Sequence, residues 1–346
     1  MSLNWTPIQW TWATGPDGAL IPMSGSTWNP ILGCKEVSAG CANCYSARLI
    51  GVRFSRNPSL PMYHDIATTG ANGHPHFTGA RRMMPDRLDE PLRARKGRKV
   101  FVNDMGDLFY EGHPFEDIAR VFAVMALAQQ HTFQVLTKRP ERAAEFLRDW
   151  AAGGRHVWTA AQSIKMPRGQ DKPAPGWPLP NVWIGTSVED QASADKRITH
   201  LLRVPAVVRF LSMEPLLGPV DLGKMLACKE CLGEGECNYD LAGAWLDCRA
   251  CGGRGTGIDW AIVGGESGPQ ARPFDLAWAR SLRDQCRAAG TAFFFKQAGA
   301  KPRESIYKDG AFRHTANVSL DDPHGGDMSE WPYDLRVREM PPAVPS

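Results

Sequence analysis

The sequence predicts an α/β fold, a full or partial (β/α) barrel with a small metal-binding insertion, and three observations predict it. Short apolar runs recur along the chain and give way to polar, glycine-containing segments. Amphipathic stretches at helical spacing follow several of them, the alternation that builds a parallel sheet with helices outside it. The runs number seven, which suits a full or partial barrel better than a small open sheet.

Taken in order, residues 1–25 hold Trp5, Trp10 and Trp12 among prolines and glycines without sustained periodicity, so they are expected to wrap over the domain. The barrel core is expected over 26–301, with strands at 26–32, 99–103, 132–137, 181–186, 207–212, 260–263 and 292–296. Residues 115–130 read as a helix because Ile118, Val121, Phe122 and Met125 share one face; 140–150, 191–202 and 276–289 are similar. Residues 51–98, with several glycines and prolines and few long apolar runs, read as an insertion or lid after the first strand. Pro167, Pro173, Pro175, Pro178 and Pro180 make 165–180 an extended loop. Residues 302–346 lose periodicity and end proline-rich, as a peripheral or partly disordered tail does.

A chain of 346 residues with 43% hydrophobic and 22% charged residues is an ordinary globular composition, and a net charge of +3 permits a nucleic-acid partner without arguing for one. The basic run at 93–99 reads either as a solvated stretch or as a phosphate-contacting patch. No apolar run approaches the ~20 residues that cross a bilayer, and no charged-then-apolar leader opens the chain. The expectation is a cytoplasmic protein without membrane contact, whose nine cysteines are not disulfides. Eight of the nine fall into two tight clusters, while Cys286 reads as a buried apolar residue on a helix.

Five strand ends carry polar groups: Asn103-Asp104-Met105-Gly106-Asp107, Thr137-Lys138-Arg139-Pro140, Thr186-Ser187-Val188-Glu189-Asp190, Ser212-Met213-Glu214-Pro215 and Gly264-Gly265-Glu266-Ser267-Gly268-Pro269. Loops are polar anyway, so one such end would mean little. A series of them at the C-terminal ends of parallel strands is where such folds build active sites.

Cys34, Cys41 and Cys44 follow the first strand with spacing Cys-x6-Cys-x2-Cys, and Gly33 and Gly40 let the loop fold back. Three thiolates on one loop suit an iron–sulfur cluster held by three of its irons. A structural zinc site wants a fourth ligand, which His64, His74 or His76 would have to supply.

A three-cysteine loop after the first strand of a (β/α) barrel resembles the radical S-adenosylmethionine superfamily. The phrases Thr27-Trp28-Asn29-Pro30, Cys41-Ala42-Asn43-Cys44-Tyr45, Leu136-Thr137-Lys138-Arg139-Pro140, Ser212-Met213-Glu214-Pro215-Leu216-Leu217-Gly218-Pro219 and Gly264-Gly265-Glu266-Ser267-Gly268-Pro269 resemble a phage- and prophage-associated branch of it. The resemblance runs from about Trp28 to Gly299. It implies a barrel of the radical S-adenosylmethionine type and a 4Fe–4S cluster on Cys34, Cys41 and Cys44. It further implies S-adenosylmethionine on the open iron, a 5′-deoxyadenosyl radical, and an electron donor such as flavodoxin or ferredoxin. The chain departs from the commonest pattern in its longer first spacing and in Asn43, where an aromatic often precedes the third cysteine. On this reading Asp104, Gly106 and Asp107 are candidates for the cofactor's ammonium and Lys138 or Arg139 for its carboxylate. Ser187 and Glu189 are candidates for its ribose. Glu214 and Glu266 are left for the substrate or the far side of the cofactor. The other reading of each is a loop-stabilising salt bridge or cap, with Asp104 and Glu214 the favoured ligand groups.

Cys228, Cys231, Cys248 and Cys251 form a Cys-x2-Cys…Cys-x2-Cys pair with glycines after each half, the pattern of tetrahedral zinc, within an insertion expected at 222–258. Each half is similar to the cysteine-glycine repeats of the J-domain co-chaperones. An auxiliary iron–sulfur cluster is the other reading, and Cys237 is a spare ligand. Function therefore divides between a radical enzyme acting on a nucleobase, nucleotide or nucleic acid and a non-enzymatic, zinc-containing nucleic-acid-binding protein. A zinc hydrolase is weakened by the absence of a His-x3-His pair at any strand end.

Overall fold

The computed structural model describes residues 3–71, 73–151, 155–167, 178–228, 236–239, 245–247, 255–308 and 311–341. A short strand β1, Asn4–Trp5, opens the chain, and all seven apolar runs form strands. These are β2 Ser26–Trp28, β3 Lys99–Val102, β4 Thr132–Thr137, β5 Val182–Ser187, β6 Val208–Met213, β7 Trp260–Gly264 and β8 Ala292–Gln297. They are ordered β1-β2-β3-β4-β5-β6-β7-β8 in one mostly parallel eight-stranded sheet. Strand β1 runs antiparallel to β2, whereas Trp28, Val102 and Val135 align in parallel register across β2, β3 and β4. Met213, Val263 and Phe295 do the same across β6, β7 and β8. Chain order as strand order means that successive crossovers step the same way. No pair joins β8 back to β1 or β2 among the described residues, so the closed barrel is not the observed form.

By packing, the chain divides into two compact units. One runs up to Gly185 and includes Arg203–Val207; the other comprises Thr186–Leu202 and the chain from Val208 onward.

In the first unit, α1, Phe115–Leu127, buries Ile118, Val121, Phe122 and Met125 as the periodicity requires. Its first turn carries Glu116 and Asp117, which suit the positive end of the helix dipole. It stops short of residue 130 because Asn181 Nδ2 takes the Met125 carbonyl at 2.9 Å. Helix α2, Pro140–Ala151, adds Phe146, whose ring lies 5.2 Å from that of Phe122. A further helix that the pattern did not indicate, α3, Arg155–Ser163, packs on α1 and buries Val157 and Ala161. In the wrapping segment Trp10 is buried edge-on against Phe101, with centroids 4.8 Å apart.

The stretch read as an insertion or lid contributes to an apolar core cluster. After a π-helical segment at Leu49–Phe54, a hairpin of Ala67–Thr69 and Pro75–Phe77 follows, and Arg82–Met83 pairs back on Ile31–Leu32. Leu32, Ala47, Ile50, Tyr63, Ile66 and Phe77 make one apolar cluster against which Cys34 and Cys44 pack.

In the second unit, α4, Gln191–Leu201, starts at a capping box in which Asp190 and Ser193 exchange hydrogen bonds. Helix α5, Leu276–Ala289, is capped by Asp275 and buries Cys286 completely, as expected of an apolar helix residue. Within the stretch expected as a peripheral or partly disordered tail, Pro302–Lys308 and Ala311–Asn317 form an antiparallel pair, and Phe274–Asp275 joins Pro302–Lys308 in parallel. Trp331 is buried edge-on against Phe295, with ring centroids 4.7 Å apart. The expected insertion leaves from a neck where Ala227 bridges Thr256 and the Cys228 amide donates to the Gly255 carbonyl at 2.7 Å. Within it, Glu236–Tyr239 pairs with Trp245–Asp247. Cys228 is buried, while Cys231, Cys248 and Cys251 lie outside the described residues.

Candidate functional site

The three-cysteine loop begins where β2 gives way to Ile31–Leu32 and Gly33. Gly33 has φ +121°, and a Cβ there would collide with the Ala80 carbonyl, so only glycine passes this point without strain. Its carbonyl accepts the Asp107 amide at 3.2 Å, fastening the start of the loop to the end of β3. Turns then follow, from the Cys41 amide to the Ser38 carbonyl at 2.9 Å and from the Cys44 amide to the Cys41 carbonyl at 3.1 Å. Cys44 precedes the helical turn Tyr45–Arg48. Tyr45 and Ser46 both donate their hydroxyls to the Asp104 carbonyl, which ties the loop's exit to the same strand end. The three thiols are free and partly buried.

Burial pushes the Cys34 thiol up to about 12, with the Asp107 carboxylate adding to the rise and Arg139 opposing it. Burial also raises Cys44. In the metal-free chain these two groups are protonated thiols at neutral pH, and a metal has to displace their protons. Two cations stand beside the loop. Lys138 Nζ is 3.4 Å from Ser38 Oγ, and Arg139 Nη1 is 3.7 Å from Cys34 Sγ.

Asp107 was expected to meet a cofactor ammonium. Instead, one oxygen accepts Thr137 Oγ1 at 2.7 Å and the Phe109 amide at 2.9 Å. The other accepts the Lys138 amide at 3.0 Å and Arg139 Nη1 at 3.1 Å. Asp107 thus joins the end of β3 to the end of β4. Arg139 is committed too, through Nε to both Glu111 oxygens at 2.8 Å and through Nη2 to the Lys35 carbonyl at 2.8 Å. Gly106 lies against Gly33, with no room for a side chain. Asp104 is held by Asn29 Nδ2 at 2.5 Å and, more loosely, by Tyr45. Burial raises its pKa, and these hydrogen bonds oppose the rise.

Sequence reasoning passed over Asn103. It sits at φ +69° at the end of β3, is 2% exposed, and neither its amide oxygen nor its nitrogen has a partner among the described residues. A left-handed asparagine with an unsatisfied buried amide costs free energy unless something else uses it. His113 is likewise fully buried, beneath the loop's entry at Gly33, and burial pushes its pKa down to about 4.

The second unit holds the other candidates. Glu189 is buried in an ion pair with Arg197 at 2.7 Å, and Arg197 also donates to the Ser187 carbonyl. Glu266 pairs with Arg272 at 2.8 Å and accepts its backbone amide at 2.9 Å. Both carboxylates expected to face a ligand therefore secure their own loops. Glu214 differs. It follows β6 and meets Lys296 of β8, a residue the sequence reading did not single out, at 2.9 Å. Gly264 of β7 lies between them, with its missing side chain 3.3 Å from Glu214 Oε1.

Among the described residues, no three His, Cys, Asp or Glu side chains converge as ligands to a single metal ion. The histidines proposed as a fourth zinc ligand have other partners: His64 faces the Asn57 carbonyl, His74 faces Glu36, and His76 faces the His74 carbonyl. A 4Fe–4S cluster takes each thiolate at a different iron, so its ligands need not meet at one point. Three free thiols on a short loop, two of them packed on apolar residues, with cations beside the loop, fit such a cluster's ligand set.

The fold and site together define a parallel α/β protein with a three-thiol loop at the C-terminal end of its first parallel strand. The chain belongs to the family described as protein of unknown function DUF5131, whose model matches residues 19–323. No curated protein and no solved structure matches it. No helix among the described residues is long and apolar enough to cross a membrane.

Proposed function

We propose that the protein is a cytoplasmic radical S-adenosylmethionine enzyme. In this reading Cys34, Cys41 and Cys44 hold three irons of a 4Fe–4S cluster, and the substrate is a nucleobase, nucleotide or nucleic acid. The observation that carries it is the trio of free thiols leaving the end of β2 beside the cations at the end of β4. When bound, the cluster supplies the electron, taken from a donor such as flavodoxin or ferredoxin, that splits S-adenosylmethionine and yields a 5′-deoxyadenosyl radical. The chain's own groups bind and orient. Lys138 offers a cation to the cofactor's carboxylate, while Asp104 and the Gly106 carbonyl offer acceptors to its ammonium. The buried Asn103 amide gains the polar partner it lacks. In the second unit, Glu214 and Lys296 are the groups proposed for the substrate.

The 222–258 insertion is proposed to hold zinc through Cys228, Cys231, Cys248 and Cys251. The spacing supports this, as does a neck that pins Cys228 across from Gly255, four positions beyond Cys251. Anaerobic purification with iron–sulfur reconstitution tests both assignments. The expected protein is brown and forms 5′-deoxyadenosine on reduction. Cys41→Ala abolishes that cleavage and keeps its zinc. A colourless, zinc-only protein after reconstitution overturns the radical reading.

A further inference from the structure

We propose that Arg139 is a positioning residue that sets the reduction potential of the cluster on Cys34, Cys41 and Cys44, an inference that rests on the radical-enzyme reading above. Its side chain is 2% exposed, and each nitrogen has its own task. Nη2 donates to the carbonyl of Lys35, the residue after Cys34, at 2.8 Å. Nε reaches both oxygens of Glu111 at 2.8 Å. The ring of Tyr110 lies 5.2 Å from the guanidinium carbon. A guanidinium is planar and rigid, so anchoring Nε and Nη2 fixes the direction of Nη1. That third nitrogen is shared between Asp107 Oδ2 at 3.1 Å and Cys34 Sγ at 3.7 Å.

Two consequences follow for a cluster on this sulfur. The N–H···S hydrogen bond and the positive charge both favour the reduced cluster, which carries one more negative charge. The guanidinium also stands between the sulfur and the Asp107 carboxylate, whose charge works against reduction. The step concerned is uptake of one electron from an external reductant; no bond breaks and no proton has to move. Lysine in this place would keep a charge but lose the fork that aims it.

The experiment is a redox titration of the reconstituted 346-residue chain with dithionite, followed by electron paramagnetic resonance. Arg139→Gln and Arg139→Lys are expected to lower the midpoint potential, Gln the more. For Gln, the reduced-to-oxidised ratio at a fixed potential should fall about tenfold, about 59 mV for a one-electron couple. The double variant Arg139→Met with Asp107→Asn leaves no unpaired buried carboxylate, so it stays folded if the single variants do not. Against Asp107→Asn alone, it should show a lower midpoint potential. In the wild type, arginine labelled with nitrogen-15 should give a weakly coupled nitrogen in pulsed spectra of the reduced cluster. A cluster that assembles in the variants with an unchanged midpoint overturns the role of Arg139 alone, as does a missing nitrogen coupling. A wild-type chain that takes up no iron overturns the cluster reading, and this role with it.

Discussion

Lys296 Nζ meets Glu214 Oε1 at 2.9 Å over the side-chain-free Gly264, so that β6 and β8 reach each other across the strand between them. The contact is ionic without the alignment of a full hydrogen bond, and Glu214 keeps only 12% of its side chain exposed. Removing one partner of a largely buried pair strands the other's charge. Lys296→Met should therefore destabilise the chain by about 2 kcal/mol, and adding Glu214→Gln should return at least half of that loss. Urea denaturation of the four proteins in the cycle measures it. Strict additivity would show that the two side chains do not interact.

Asp107 and Arg139 form a pair of another kind, with side chains 8% and 2% exposed and every polar atom of the carboxylate bonded. Asp107→Ala is expected to cost about 3–5 kcal/mol, as breaking a buried pair does. Glu111, 60% exposed, faces the same guanidinium from the solvent side, and Glu111→Gln should cost under about 1 kcal/mol. Chemical denaturation of the two variants side by side separates these values. Equal costs would mean that burial does not govern this network.

The seven strands were legible because a strand covered on both faces reads as an unbroken apolar run. The ends of elements were less so: α1 stops where Asn181, from a distant loop, takes its last carbonyls, and no local signal announces that. The anchors of residues 302–346 were not legible, because Trp331 and Leu335 are single buried residues without periodicity. At the site, the spacing of the three cysteines was legible. The partners of the carboxylates were not, because a strand-end Glu looks the same whether it faces a ligand or an arginine. Arg197 and Arg272, which take up Glu189 and Glu266, appear in sequence as ordinary charges. Lys296 was hidden in a strand pattern that gave no reason to look for a charge meeting Glu214.

His113 gives the fold an acid limit. Burial lowers its pKa from 6.5 to about 4, so the folded chain binds fewer protons than the unfolded one between those values. A depressed pKa contributes stability that is full above the unfolded value and is lost as pH falls through the folded one. The contribution is about 3 kcal/mol, shed between about pH 6.5 and 4. His113→Gln should flatten this part of the curve of stability against pH, whatever it does to stability at pH 7. Denaturation midpoints at pH 7 and pH 4.5 measure the slope. An unchanged slope in the variant assigns the acid sensitivity to other groups.

Asn103 separates holding the fold from holding a ligand. Its side chain is buried without partners among the described residues and its backbone is left-handed, so glycine relieves both costs while leaving a small void. Asn103→Gly should keep or raise the stability of the ligand-free chain, within about 1 kcal/mol. The same change should weaken binding of S-adenosylmethionine to the reconstituted protein, measured by calorimetry. A loss of more than about 2 kcal/mol in the ligand-free chain would show that the amide is structural.

Gly33 is the least replaceable backbone position of the loop. At φ +121° a side chain is strained before any contact is counted, and the atom it would strike is the Ala80 carbonyl, part of the backbone beside the Arg82–Met83 strand. That backbone yields only by giving up its pairing with Ile31–Leu32, and Cys34 follows Gly33 directly. Gly33→Ala should therefore cost about 2–4 kcal/mol and displace the first thiol. The expected signature is a fall in the urea midpoint together with less iron per chain after reconstitution, while zinc is retained. Full iron at reduced stability would mean that the loop re-forms around the cluster, and that the Gly33 turn serves the fold rather than the metal.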